Sequence, residues 1–247
     1  MFAIRKKQLL PIALIALGVM TRVLVILCCP GVKRDSLKFL AAAEKIAVGN
    51  PTALASQNLQ PVYPMLLSLG WLIGFPKTFG YLINIVCSVC VMCCTYYLVV
   101  TMLKRRLAGY AAIFFCALHP LLVDIDTAIL RDSLYLCFFA LSLAMAIRIA
   151  QKNRPVDAVI LGTVCGAAPL LREEGWELVL YFLIFCVFAR YGRIVSFAGD
   201  KVRYRSIGIC LTAMFAVYAM VAILASAFGY YWCNDFSHQG LFFRHLQ

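Results

Sequence analysis

Arg34-Asp35-Ser36-Leu37-Lys38-Phe39 places one carboxylate among cations a few residues past the first membrane-length apolar run. Ionisable residues kept at a bilayer boundary usually have a task. Asp35 reads either as such a group or as the N-cap of an amphipathic helix over 35–48, where a carboxylate satisfies free backbone N–H groups. Asp124-Ile125-Asp126 sets two carboxylates on one side of an extended chain. That arrangement suits a hard divalent cation such as Mg or Mn, and it equally suits a pair of solvated loop acids. In Arg131-Asp132-Ser133, Asp132 can cap a helix, while Arg131 can snorkel to headgroups or clamp a phosphate. Arg172-Glu173-Glu174-Gly175-Trp176 forms a tight turn, readable as a site or as a charged hairpin tip. Arg22 lies about two-thirds of the way through the first apolar run, where an unpaired guanidinium is costly. It calls for a carboxylate partner, a snorkelled position or a bound lipid phosphate.

These groups have to be held by membrane helices. Of 247 residues, 64% are hydrophobic and 14% charged, with a mean hydropathy of +0.88. Such a composition belongs to an all-α integral membrane protein, here a single multi-pass domain over 1–247. The apolar residues come in runs of roughly 20, the length that crosses about 30 Å of hydrocarbon. The net charge of +12 then reads as membrane topology. A nucleic-acid site would interleave basic residues with exposed aromatics, a pattern the sequence lacks.

The first run, about Leu9 to Cys29, follows Arg5, Lys6 and Lys7 and reads as a retained anchor, since Leu27-Cys28-Cys29-Pro30 offers no small residues for cleavage. Cytoplasmic loops collect Lys and Arg, so the N-terminus is placed in the cytoplasm and the second span, about Phe79 to Leu103, ends inside at Lys104-Arg105-Arg106. The apolar segment Pro61 to Phe75 is too short to cross and reads as an interfacial or re-entrant helix. The first outer loop, about 30–78, therefore carries interfacial helices. Further spans follow over about 107–122, 128–150, 156–171, 176–188 and 206–230, for about seven in all. Asp35, Glu44, Asp124, Asp126, Asp132, Glu173, Glu174, Glu177 and Asp235 all fall on the outer side, and only Asp157 and Asp200 inside. The positive-inside rule does not require that segregation, so the outer acids form a candidate site.

Twelve cysteines are many for this length. Cys87-Ser-Val-Cys90 has the letters of a redox or zinc motif, but it sits in an apolar span with no histidine near it. Cys87, Cys90, Cys93 and Cys94 read better as small buried hydrophobes. Cys28, Cys29 and Cys233 approach the outer face, where pairing cannot be deduced from sequence.

The order of these features resembles a known family. An embedded Arg22 precedes Arg34-Asp35-x3-Phe39, an Ala-rich helix and Gly49-Asn50. Gln60-Pro61-Val62-Tyr63-Pro64 leads into the interfacial helix with Gly74, then come Lys104-Arg105-Arg106, His119-Pro120, Arg131-Asp132-Ser133-Leu134-Tyr135, and a hairpin from Gly166 to Arg172-Glu173-Glu174-Gly175. From about Met20 to Trp176 the chain resembles the N-terminal half of the GT-C membrane glycosyltransferases. The branch is the bacterial dolichyl-phosphate-mannose protein mannosyltransferase-like one, which includes aminoarabinose and lipopolysaccharide-core sugar transferases. Each motif is loose, and their order is the more specific signal.

The resemblance implies a polyprenyl-phosphate-sugar donor, an unidentified glycan, lipid or protein acceptor, and transfer at the outer face of the inner (plasma) membrane. Asp35 matches the family's acid of the first outer loop, a catalytic base or acceptor-activating group. Where many relatives carry a second acid, Ser36 stands here. Asp124 and Asp126 fall in the second outer loop, where metal-using relatives carry an Asp-x-Asp; others work without metal. A carboxylate can take the proton of an attacking hydroxyl, and cations stabilise the leaving lipid phosphate. Arg34, Lys38, Arg131 and Arg172 are the candidates for the second role, with Arg22 as a further phosphate ligand. Tyr63 and Trp71 on the interfacial helix either stack on sugar or hold the helix at headgroup depth. Relatives carry more spans and an extended C-terminal portion, so the chain is expected to lack the family's C-terminal half. The competing readings are a small transporter or lipid flippase, which should show repeated halves that are not evident here, and a truncated, non-catalytic relative.

Overall fold

The computed structural model describes residues 6–29, 33–50, 54, 59–191 and 204–228. All regular structure among them is helical: α1 (Lys6–Cys28), α2 (Arg34–Ala47), α3 (Val62–Leu72), α4 (Pro76–Leu103), α5 (Arg106–Leu118), α6 (Pro120–Thr127), α7 (Arg131–Lys152), α8 (Pro155–Leu171), α9 (Gly175–Tyr191) and α10 (Tyr204–Ser226). Proline opens α4, α6 and α8, a position where its missing N–H costs no helical bond. Left-handed residues Lys104 and Asn153 close α4 and α7 at the basic clusters. Gly74 takes φ of +82° between α3 and α4, which lets the Phe75 N–H reach back to the Gly70 carbonyl at 2.9 Å.

Among the described residues, four helices are long and apolar enough to cross a membrane, Leu9–Cys28, Pro76–Leu103, Arg131–Lys152 and Arg205–Ser226, and a fifth if the bent pair α5 and α6 counts as one. α8 and α9 have 17 residues each, the short limit for a crossing. By length and composition four or five of the expected seven spans stand, and α8 and α9 occupy the places of the fifth and sixth as short apolar helices. α3, with 11 residues, spans roughly 16 Å and is too short to cross, as its bounding prolines suggest. The expected span over 107–122 is a bent pair of helices and not one straight helix. Its helix breaks at His119-Pro120, turns by 54° and continues as α6 through Asp124 and Asp126. Those two acids are helical and not on an extended loop.

α4 and α7 run parallel. The Asn84 side chain donates to the Ala128 carbonyl just before α7, and Tyr97 Oη donates to Gln151 Oε1 at 3.3 Å near its end. Lys104, Arg105 and Arg106 therefore gather with Lys152 and Arg154 at one end of the bundle. The other end carries α2, α6, the start of α7 and the α8–α9 turn, and with them most of the acids. Asp157 belongs to the basic end, where it is buried and pairs with Arg148 at 3.0 Å. Asp200, Asp235, Cys233 and the tail from Trp232 lie outside the described residues.

α8 packs along α10 with Gly162 against the Cys210 carbonyl and Gly166 against that of Met214. A Cβ added at either glycine would sit 2.3 Å from the oxygen. Helices in lipid associate through such close contact, because hydrocarbon offers no hydrophobic drive between them. Cys87, Cys94 and Cys137 are buried where α4 meets α7, with Cys90 Sγ 4.0 Å from Cys94 Sγ. They pack as small apolar side chains, the reading their setting in the sequence favours.

Candidate functional site

α2 is amphipathic. Phe39, Leu40, Ala43 and Ile46 are buried, while Arg34, Asp35 and Lys38 stay exposed. α3 lies against it, with the Phe39 and Tyr63 rings edge to face at 5.2 Å and Trp71 Nε1 donating to the Leu40 carbonyl at 3.3 Å. This pair forms one wall of a cleft of about 370 Å³; the other walls are the first turn of α7 and the α8–α9 turn. Three acids, Asp35, Asp132 and Glu173, and three bases, Lys38, Arg131 and Arg172, face the cleft. Four of the residues singled out in the sequence, Asp35, Lys38, Arg131 and Arg172, thus meet in one place from three separate chain segments.

Asp35 occupies the second helical position of α2. The N-cap is Lys33, and it makes no side-chain capping bond. The capping role considered for Asp35 is therefore not the one observed. Lys38 Nζ donates to Asp35 Oδ1 at 2.8 Å across one turn, with both side chains exposed. That hydrogen bond, then the Lys38 charge, holds the Asp35 carboxyl below the usual carboxylate range; desolvation opposes them, and Arg34 and Arg131 add smaller contributions in the lowering sense. The group is ionised at neutral pH and able to accept a proton or a hydrogen bond.

The two arginines differ. Arg172 donates to Asp132 and, through Nε, to Glu174 Oε2 at 2.8 Å, and its guanidinium lies 5.5 Å over the Tyr135 ring. The Glu174 hydrogen bond pushes the Arg172 pKa up, and the same bond holds Glu174 down. Its charge is spent on two carboxylates. Arg131 forms no ion pair among the described residues. It donates to Gln60 Oε1 and stands 6.0 Å from the centre of the Phe39 ring. Gln60 Nε2 in turn donates to Glu173 Oε1 at 3.1 Å. A half-buried guanidinium held by a neutral amide keeps its positive charge for an incoming anion.

The remaining sequence candidates lie elsewhere. Arg34 is exposed on α2 outside the cleft lining. Tyr63 is fully buried beneath the cleft, its hydroxyl without a hydrogen-bond partner among the described residues, and it serves as a packing residue. Arg22 is 1% exposed and takes the carboxylate alternative, with Nε donating to Asp126 Oδ2 at 2.7 Å; it is not a ligand for a substrate phosphate. Asp124 and Asp126 do not converge. Residues two apart on a helix point to different sides, and here Asp124 pairs at 2.7 Å with exposed Lys33 while Asp126 is buried on Arg22. The pair does not fit a divalent cation. Among the described residues, no group of three or more His, Cys, Asp or Glu side chains is arranged to hold one.

Gln60 is the cleft residue that the sequence did not offer as a candidate; its one signal is an amide at the entry to an otherwise apolar helix, where a buried polar group must find partners. Asp132 and Glu173 stood among the outer acids taken together as a candidate site, without roles of their own.

Comparison with curated proteins and with solved structures gives no match. Residues 58–220 match the family described as dolichyl-phosphate-mannose-protein mannosyltransferase. The matched stretch includes Gln60, Arg131, Asp132, Arg172 and Glu173, and begins after α2 with Asp35. The ten helices among the described residues, several of membrane-spanning length, are consistent with an all-α multi-pass membrane protein. The chain belongs to the dolichyl-phosphate-mannose-protein mannosyltransferase family, membrane glycosyltransferases of the GT-C type.

Proposed function

We propose that the chain, as a single multi-pass domain over 1–247, transfers a sugar from a polyprenyl-phosphate donor to a hydroxyl of a lipid, glycan or protein acceptor. The site faces the outside of the plasma membrane, with the N-terminus in the cytoplasm. The observation that carries this reading is the cleft itself. An exposed, ionised carboxylate, Asp35, shares it with Arg131, a guanidinium that forms no ion pair among the described residues and is held by the Gln60 amide. Asp35 takes the proton of the acceptor hydroxyl as its oxygen bonds to the anomeric carbon. The bond from that carbon to the phosphate oxygen breaks, and the charge left on the lipid phosphate is met by Arg131. Lys38 and the Arg172–Asp132 pair frame the opening and orient the reactants.

Membranes holding the chain or its Asp35→Asn variant at matched expression, given labelled polyprenyl-phosphate sugar, test the reading. Transfer by the wild-type chain and a loss of about 100-fold or more in the variant, the scale of a general base, are expected. Equal transfer by both would remove Asp35 from the chemistry. No transfer by either, with a range of donors and acceptors supplied, would favour a non-catalytic relative.

A further inference from the structure

The buried ion pair beneath the cleft has more partners than charge balance alone requires. Pro120 has no N–H, so the Cys116 carbonyl one turn before it loses its helical donor where α5 breaks. Arg22 supplies the replacement. Its Nη2 donates to the Cys116 carbonyl at 3.1 Å, and its Nη1 to the carbonyls of Ala117 at 2.9 Å and Gly18 at 3.0 Å. The Nε bond to Asp126 ties the same guanidinium to α6. The second oxygen of Asp126 accepts from Ser133 Oγ at 2.6 Å, in the first turn of α7 two residues after Arg131. One guanidinium therefore stitches α1, the end of α5, α6 and, through Asp126, the segment that carries Arg131 and Asp132 into the cleft.

We infer that Arg22 and Asp126 are positioning residues, which fix the α5–α6 bend and thereby the approach of Arg131 to a phosphate in the cleft. The inference rests on the proposed donor for its kinetic consequence and on geometry alone for its structural one. A lysine could not replace Arg22, because only the planar fork reaches two carbonyls of α5 while facing a carboxylate. Ser133 transmits the constraint, and the Asn84 side chain, donating to the Ala128 carbonyl, ties the same corner to α4.

The test uses the full chain in detergent or nanodiscs with two variants. The double variant Arg22→Met/Asp126→Leu leaves no unpaired buried charge, a replacement that folded proteins commonly tolerate. Arg22→Lys keeps the charge opposite Asp126 and loses the fork, and it carries the same readings if the double variant does not fold. Amide hydrogen exchange over 119–133 is expected to quicken about tenfold or more, with protection in α8 and α10 unchanged, as for a local opening. KM for the polyprenyl-phosphate donor is expected to rise about tenfold with a smaller fall in kcat, the mark of weakened ground-state binding. A role confined to folding would lower the active fraction and leave KM unaltered. A folded variant with wild-type exchange at the corner, exchange raised evenly through all helices, or an unchanged KM would overturn the inference. If the wild-type chain transfers no sugar, the donor reading fails, and the exchange pattern still decides whether Arg22 and Asp126 hold the corner.

Discussion

Alanine at Gly162 or Gly166 should expose how rigidly α8 and α10 are joined. In either variant the new Cβ falls 2.3 Å from a carbonyl oxygen of α10, against an ordinary carbon–oxygen contact of about 3.3 Å. Because both partners are helix backbone, a rotamer change cannot relieve the clash, and the helices must separate by about 1 Å. That places the cost near the upper end of overpacking, about 3 kcal/mol. Alanine in place of glycine returns about 1 kcal/mol of helix propensity, so each single variant should lose about 2 kcal/mol. The two oxygens belong to Cys210 and Met214, one turn apart on the same helix, so one displacement relieves both. The double variant incurs that displacement once and gains propensity twice, for a net loss of about 1 kcal/mol. Gly208 on α10 has open space where its Cβ would be, and Gly208→Ala should stabilise by about 1 kcal/mol. Thermal unfolding in detergent measures all four, with about 4–8 °C expected for each destabilised single variant. A double variant that loses the sum of the singles would show that the two contacts yield independently. Singles as stable as the wild type would show that the helices are not in close contact.

The carboxyl of Asp35 is held low chiefly by its hydrogen bond to Lys38, so Lys38→Met should return it toward the ordinary carboxylate range. Transfer requires the ionised form, and the acid limb of a kcat/KM–pH profile should therefore move to higher pH in the variant; an unmoved limb would separate Asp35 from the rate. Tyr63→Phe removes a buried hydroxyl that has no hydrogen-bond partner among the described residues. It should leave transfer intact and be neutral or stabilising by about 1 kcal/mol, read by activity and melting together, whereas lost activity would return Tyr63 to the site.

The helical membrane architecture was legible because lipid solvates backbone poorly and forces long apolar runs. Charge clusters marked the ends of α4 and α7, and prolines marked α3 as too short to cross. Asp35, Lys38, Arg131 and Arg172 could be picked out because charged residues at the edges of apolar runs are conspicuous. Their meeting in one cleft was not legible, since it depends on how α2, α7 and the α8–α9 turn converge. The same limit explains the error at Asp124-Ile125-Asp126. The proline at 120 reads as a loop signal, yet here it opens a helix that turns one acid outward to Lys33 and the other inward to Arg22. Gln60 and Ser133 stood in the sequence only as members of loose motifs, and their roles come from what lies opposite them.

The contact between Gly162, Gly166 and α10 also orders the birth of the protein. α8 leaves the ribosome some fifty residues before the stretch it packs against, carrying Arg172 at its end. Until α10 enters the bilayer, the glycine face of α8 has only lipid to meet, and the short helix lacks its tightest partner. The cleft wall that Arg172 forms therefore matures late in synthesis. A nascent chain halted before α10 would carry every cleft residue and hold one wall without its support.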